Sequence, residues 1–290
     1  MPSPKEDAIR FLLASQLISG GWGYELRSPA VVESTAAVVL ALRHVPEVAQ
    51  SLKRAVEWLL TCQNEDGGWG YNQDDTESNW LTAWAVFALR QAGFGDPESE
   101  RGIHWLISEK VLQYTDSSLL SEGTKIARID FSIRGWPWQP TEASWVEPTA
   151  LAILALERAR EQPDVRERLD EAIRYLKDRR VPGGGWNVGN PVMFSSILPA
   201  RAHPTAWALL ALKTLSEEAI LPEDLSILQD EMHRDGGVMG LGWGLLVLRR
   251  LGKDDHFAEK LLVNLQQADG SWDQNPYLTA VALMSLEGDL

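Results

Sequence analysis

The chain has 290 residues, 44% of them hydrophobic, which is enough to bury a large core and excludes a disordered chain. Its formal net charge of −14 disfavours nucleic acid as a partner, because a polyanion repels a phosphate backbone. The single cysteine, Cys62, cannot form an internal disulfide. We expect no signal peptide and no transmembrane segment, and therefore a soluble cytoplasmic protein.

A short helical phrase recurs six times along the chain. Each copy places Thr-Ala, or a variant of it, at the start of an apolar run. In chain order the position two before the threonine is Glu33, Trp80, Glu147, His203, Met239 and Tyr277. The runs are apolar nearly all round, as buried helices are, and a more amphipathic helical pattern precedes each of them, for example over 52–62, 165–177 and 257–265.

A glycine turn, usually with tryptophan, separates the two helices of each pair. The turns lie at 20–22, 67–69, 135–138, 184–186, 236–238 and 270–272, and glutamine often precedes them, as at Gln16, Gln63 and Gln267. One hairpin cannot bury its own apolar face, so we expect six hairpins to stack and close. The sequence predicts an all-α protein, a single (α/α)6 barrel of six helical hairpins that forms one domain over 1–290, with a loop insertion at 112–144.

This repeated glutamine and Gly-x-Trp turn resembles the QW repeat of squalene–hopene and oxidosqualene cyclases. The β subunits of protein prenyltransferases have the same barrel. The resemblance covers nearly the whole chain. It implies a class II terpenoid cyclase, which starts the cyclisation of a linear isoprenoid by protonation. Cyclases of this family usually join two barrels, whereas this chain has one. Either the cavity lies within the single barrel, or a second subunit closes it, or the cyclase chemistry has been lost.

The family's acid motif, D-x-D-D-T-A or V-x-D-C-T-A, lies at the start of an inner helix. Aligned on Thr-Ala, Glu147 and Glu33 stand where the family has its proton-donating aspartate, and we take Glu147 as the first choice and Glu33 as the second. Asp74 and Asp75 also resemble the motif, but they are out of register with their helix. Each of these acids is alternatively a helix-capping or first-turn residue that favours the helix dipole.

The first-turn residues of the six apolar helices are expected to meet at one end of the barrel, called the mouth below. Aromatic faces there would stabilise a carbocation, and a dry cavity would protect it from water. The candidate substrate-binding residues are Trp80, Trp84, Trp136, Trp138, Trp145, His203, Trp207, Tyr277, Arg134 and Arg201. Core packing is the alternative for Trp84 and Trp207. Capping or a salt link is the alternative for His203, and pairing with acidic residues is the alternative for the arginines.

The proposed reaction needs no cofactor and no metal, with Mg²⁺ expected only if the substrate is a diphosphate. A prenyltransferase would need zinc, for which the lone Cys62 gives no convincing ligand set. Two carboxylates such as Glu33 and Glu147 would also serve a glycosidase or a polysaccharide lyase. The non-enzymatic alternative is a barrel that holds a lipid or a partner peptide. The expected ligand is thus a linear isoprenoid or another apolar small molecule.

Overall fold

An inner ring of six helices surrounds the axis of the protein. The computed structural model describes residues 3–112, 117–235, 237–288 and 290. The inner helices are α2 (Val32–Leu42), α4 (Leu81–Ala92), α7 (Val146–Leu156), α9 (Ala202–Leu215), α11 (Val238–Arg250) and α13 (Pro276–Glu287). Each contacts the next in this order, and α13 contacts α2. The ring is therefore closed, and the predicted (α/α)6 barrel is confirmed.

A second layer of six helices surrounds the first. These outer helices are α1 (Pro4–Ser15), α3 (Ala49–Thr61), α5 (Asp96–Ser108), α8 (Pro163–Asp178), α10 (Pro222–Asp235) and α12 (His256–Asn264). Each outer helix packs along the inner helix that precedes it in the chain, and α1 packs along α13. The sequence predicted hairpins in which each outer helix packs against the inner helix that follows it in the chain. In the structure each outer helix packs instead against the inner helix on its other side in the chain order.

The sequence explains why the helices separate into two layers. All residues of α7 are buried, and so are all residues of α2 except Glu33, as expected for helices that have neighbours on every side. The outer helices α3 and α8 bury only one stripe and turn their charged side chains to solvent, except for Arg168 and Glu171 of α8, which are buried and paired with each other. Burial of apolar area drives this arrangement at roughly 25 cal/mol per Å².

The glycine–tryptophan turns connect each outer helix to the inner helix that follows. In five units the main-chain N–H of the turn tryptophan donates to the threonine Oγ1 of the inner helix, with N···O distances of 2.8 to 3.1 Å. The indole N–H of the same residue donates to a carbonyl oxygen of the outer helix at 2.7 to 3.0 Å. The tryptophan–threonine pairs are Trp22–Thr35, Trp69–Thr82, Trp136–Thr149, Trp186–Thr205 and Trp272–Thr279. In the sixth unit Leu241 occupies the threonine position, so no such bond can form.

Glutamine amides link successive units. Gln63 Nε2 donates to the carbonyl oxygens of Gly67 in its own turn and of Glu98 in the next outer helix, at 2.8 and 2.9 Å. Gln16 makes the equivalent bonds in the first unit. In the last unit Gln266, and not the predicted Gln267, makes them, and its second acceptor is the carbonyl of Pro4. This contact helps to join the two ends of the chain.

The predicted insertion at 112–144 contains a further helix, α6 (Ser117–Ala127), where a loop was expected. Beside it lies a small antiparallel hairpin of β1 (Val192–Met193) and β2 (Ser196–Ile197). The main-chain N–H of Phe194 in this hairpin donates to the carbonyl of Ile126 in α6. Among the described residues no helix is both long enough and apolar enough to cross a bilayer.

Candidate functional site

The amino ends of the inner helices meet at one end of the ring, as predicted. The main-chain N–H groups of Val32, Trp80 and Val146, at the starts of α2, α4 and α7, each donate to a carbonyl in the loop that leads to the next inner helix. The carboxyl ends gather at the opposite end, where residues of α4, α7, α9 and α11 line a common pocket. The mouth therefore combines first-turn residues from helices that are far apart in the sequence.

Glu147 is a buried carboxyl in the first turn of α7. Only 8% of the residue is exposed, and its Oε1 lies 3.7 Å from His203 Nε2 of α9. Burial raises the pKa of Glu147 to about 8, and the nearby charge of Glu33 adds to this effect. At neutral pH the carboxyl is accordingly protonated and has a proton to donate.

Glu33 lies in the first turn of α2 and is partly exposed. The hydroxyl of Tyr24, from the loop before α2, donates to its Oε2. Burial raises the pKa of Glu33 to about 7, and the hydrogen bond from Tyr24 offsets part of that increase because it favours the charged form. The two candidate acids therefore form a coupled pair in which Glu147 loses its proton at the higher pH.

His203 is a neutral base beside Glu147. Trp207, one turn further along α9, donates its indole N–H to His203 Nε2 at 2.9 Å. Because Nε2 accepts this bond, the proton of the neutral ring lies on Nδ1. Burial lowers the pKa of His203 to about 4. The predicted salt link to a mouth carboxylate is thus a contact between two neutral groups at neutral pH.

An aromatic column fills the barrel axis below the acids. Trp84 of α4 contacts Trp207 of α9 at a ring-centroid distance of 5.5 Å and Trp243 of α11 at 6.1 Å, and Trp207 and Trp243 are 4.3 Å apart. Tyr277 of α13 lies 6.1 Å from Trp84 in a T-shaped arrangement. Helix α4 lies opposite α11 in the ring, α9 and α13 lie on either side of α11, and the aromatic side chains are buried, so the column closes the axis with aromatic faces and edges.

The other predicted aromatic residues lie in loops around the mouth. Trp80 and Trp138 form a T-shaped pair with centroids 4.5 Å apart. Trp145 lines a separate pocket of about 240 Å³ together with Ile129, Phe131 and other residues of the insertion. Trp136 is a turn tryptophan with the two hydrogen bonds described above. The guanidinium of Arg168 covers its ring at 4.1 Å, so the contacts of Trp136 are structural.

The two predicted arginines are paired with acidic side chains. Arg134 makes two hydrogen bonds to the carboxylate of Glu171, at 3.0 and 2.8 Å. Arg201 lies 3.5 Å from Glu231. Both contacts correspond to the alternative interpretation in which the basic residues offset the acidic excess.

Asp74 and Asp75 lie in the loop before α4. Asp75 accepts the main-chain N–H groups of Tyr71 and Glu77, at 2.7 and 3.1 Å, and so holds the turn. Asp74 is exposed, and its main-chain N–H donates to the side chain of Asn72. In this loop the acids have the turn-forming contacts expected from the capping interpretation.

Two residues at the mouth, Tyr24 and Trp243, were not among the predicted site residues. Tyr24 ends the phrase Gly-Gly-Trp-Gly-Tyr, which recurs at Tyr71, and that repetition was a usable signal. Trp243 corresponds in its repeat to Trp207 and could have been found by the same alignment. Across the described part of the chain, no group of three or more His, Cys, Asp or Glu side chains could hold a metal ion.

Comparison with known proteins gives a family resemblance over part of the chain and a fold over the whole of it. The sequence profile of the squalene–hopene cyclase C-terminal domain matches residues 3–129, which confirms the predicted resemblance in that part of the chain. None of the curated proteins compared by sequence matches this chain.

Several solved structures share the fold. A protein from Actinoplanes is 18% identical, with a TM-score of 0.66 and coverage of 98% of both chains. A variant of the type II terpene cyclase MstE from Scytonema, in complex with its product merosterolic acid A, is 16% identical. Its TM-score is 0.65, and the match covers 98% of this chain and 95% of the other. The α2-macroglobulin of Escherichia coli, 18% identical with a TM-score of 0.52, matches 96% of this chain over 42% of its own. Residues 3–129 thus match the squalene–hopene cyclase C-terminal domain, and the whole chain has the α/α barrel fold of type II terpene cyclases.

Proposed function

We propose that the protein catalyses the proton-initiated cyclisation of a linear isoprenoid, with Glu147 as the acid. The observation that carries this proposal is a buried, protonated carboxyl at the mouth of the barrel, directly above a column of aromatic rings. A general acid must hold its proton at the working pH, and burial gives Glu147 that property. The likeness to type II terpene cyclases supports the same reaction class.

In the proposed first step, a carbon–carbon double bond of the substrate takes the proton of the Glu147 carboxyl. A C–H bond forms, the O–H bond breaks, and a carbocation remains on the more substituted carbon. A second double bond attacks this cation and closes the ring. The reaction ends when the final cation loses a proton to a base, or when water adds and releases one. Glu147 recovers its proton from solvent, and in this proposal the nearby, partly exposed Glu33 and its partner Tyr24 relay it.

The aromatic column has a defined part in this proposal. Its ring faces stabilise positive charge by cation–π contact, worth about 2 kcal/mol or more when water is excluded. Because the rings occupy the axis, the substrate binds above them, between the acids and a pocket of about 440 Å³ that His203 lines. The reaction requires no metal, and Mg²⁺ enters only if the substrate is a diphosphate.

Product analysis tests the proposal. Geraniol, farnesol and geranylgeraniol, each also as its diphosphate, are incubated with the protein, and the extracts are examined by gas chromatography–mass spectrometry. We expect a cyclic product that Glu147→Gln abolishes, while Glu77→Gln, the same change on an exposed loop residue, retains it. A product that disappears only with Glu33→Gln would move the acid to α2.

The filled axis favours a second candidate function, a barrel that binds a lipid or a partner without chemistry. Trp84, Trp207 and Trp243 are fully buried, so the interior is packed like a core. If the folded protein forms no cyclic product from any of these substrates but binds them reversibly, this function replaces the first. If product appears only after a second polypeptide is added, a partner subunit completes the cavity.

A further inference from the structure

The carboxyl ends of the inner helices enclose a second cavity, called the lower pocket below, at the end of the barrel opposite the mouth. Its volume is about 390 Å³, which is in the size range of small-molecule sites. The floor consists of Phe87 of α4, Leu154 of α7 and Leu210 of α9, which are all buried. Phe87 follows Trp84, and Leu210 follows Trp207, by about one turn of helix. The floor therefore lies one turn beyond the aromatic column.

Two arginines at the rim of the lower pocket have no acidic partner among the described residues. Arg158, just after α7, donates to the carbonyl oxygen of Arg90 at 2.8 Å and to Oε1 of Gln91 at 2.7 Å. Arg250, the last residue of α11, donates to the carbonyl oxygen of Leu290 at 2.8 Å. These neutral acceptors hold the guanidinium groups but do not compensate their charge, and each group retains further N–H donors. Both arginines are therefore available to an anion that enters the pocket.

The other charged residues that line the lower pocket are paired. Lys213 Nζ lies 2.6 Å from the carboxylate of Glu217. The carboxylate of Glu157 lies 3.9 Å from the guanidinium of Arg160, which is not part of the lining. The lower pocket thus combines two uncompensated guanidinium groups at its rim with an apolar floor.

Leu290 shows which groups can be accommodated side by side at this rim. It lines the pocket, and only 7% of the residue is exposed. Its carbonyl oxygen is the acceptor of the hydrogen bond from Arg250. An aliphatic side chain and an oxygen acceptor therefore already meet in the lower pocket, each next to the kind of surface that suits it.

We infer that the lower pocket binds an amphiphilic oxyanion, a carboxylate or a phosphate monoester that carries an apolar chain. Its charged oxygens accept hydrogen bonds from Arg158 and Arg250, because a planar guanidinium matches the oxygens of either head group. Its chain covers the apolar floor, and burial of that area adds to the affinity. The site lies at the opposite end of the barrel from Glu147, so this ligand is distinct from the substrate of the proposed reaction.

Probes that share one chain and differ in the head group test the inference in the wild-type protein. Octanoate, octyl phosphate and octan-1-ol are titrated into the protein by isothermal titration calorimetry. We expect at least one anion to bind about 10-fold or more tightly than octan-1-ol, because hydrogen bonds between charged groups are the stronger ones. The tighter of the two anions identifies the head group. Inorganic phosphate should bind more weakly than octyl phosphate, and equal affinity would contradict the part given to the apolar floor.

Variants locate the binding site. Arg158→Gln and Arg250→Gln should each weaken the binding of the preferred anion by about 10-fold and leave the affinity for octan-1-ol unchanged. Arg160→Gln is the matched control, because Arg160 is also exposed and lies close by in the chain but does not line the pocket. The anion should bind to this variant as it does to the wild-type protein. Thr214→Phe, which fills the lower pocket, should weaken the binding of all three probes.

Two results would overturn the inference. One is equal affinity of both anions and octan-1-ol for the wild-type protein. The other is an unchanged affinity for the anion in both Arg158→Gln and Arg250→Gln, with a lower melting temperature. That result would assign the two arginines to the stabilisation of helix carboxyl ends, where basic side chains offset the partial negative charge. Neither measurement involves turnover, so the inference and the cyclase proposal fail independently.

Discussion

The stability of the Glu147→Gln variant relative to the wild-type protein is predicted to increase as the pH rises. Burial raises the pKa of this carboxyl from 4.5 to about 8 in the native state. Between these values the native state retains a proton that the unfolded chain has lost, so the wild-type protein loses stability as the pH increases. Glutamine has a similar shape and does not titrate, so the variant lacks this loss.

The expected size follows from the pKa values. Each pH unit within the window changes the contribution of one group by about 1.4 kcal/mol. Raising the pH from about 5 to about 7.5 should therefore increase the stability of Glu147→Gln over the wild-type protein by about 3 kcal/mol. For Glu33→Gln the increase should end near pH 7, because burial raises the pKa of Glu33 only to about 7.

Urea unfolding followed by circular dichroism at several pH values measures this difference. Glu77→Gln provides the control for loss of a carboxyl at an exposed position. A stability difference between Glu147→Gln and the wild-type protein that stays constant from pH 5 to pH 7.5 would refute the reasoning. It would show that Glu147 is ionised in the native state, and a carboxylate has no proton to start a cyclisation.

Three further changes test the turns and the loop acids. Thr82→Val leaves the buried main-chain N–H of Trp69 without its acceptor at 2.9 Å, so urea unfolding should show a loss of about 1–3 kcal/mol, and no loss would contradict the role given to the turn. Gly20→Ala, at φ +106° with a carbonyl oxygen 2.5 Å from the new Cβ, should lower the melting temperature more than Gly183→Ala, which has a similar φ of +101° but open space. Asp74→Asn should change neither the product nor, by more than about 0.5 kcal/mol, the stability, and loss of product would make Asp74 a catalytic candidate again.

Most of the fold could be predicted from the sequence because its signals are local. The Thr-Ala runs are apolar on every side, and this pattern indicates a helix that is surrounded by other helices. The turn tryptophan and its threonine are close in the chain, as in Trp69 and Thr82, so one repeat already contains both partners of the bond. The pairing of each outer helix with the preceding inner helix was not predictable in this way, because it depends on packing between units.

Part of the candidate site was also within reach of the sequence. Alignment on Thr-Ala placed Glu147, Glu33 and His203 at one end of the barrel, where the structure has them. The roles of Arg134 and Arg201 were left open, since their acidic partners come from other helices. Tyr24 was missed although its phrase recurs at Tyr71, because the sequence does not show that its hydroxyl donates to Glu33.

The sequence by itself determined six repeated units, their buried and exposed helices, and the residue types at each helix start. Only the tertiary structure decided which of those residues are charged. Glu147 and His203 are neutral because helices distant in the sequence remove water from around them, and desolvation penalises the charged form of any group. Both neutral forms arise from burial among helices that only the closed ring brings together.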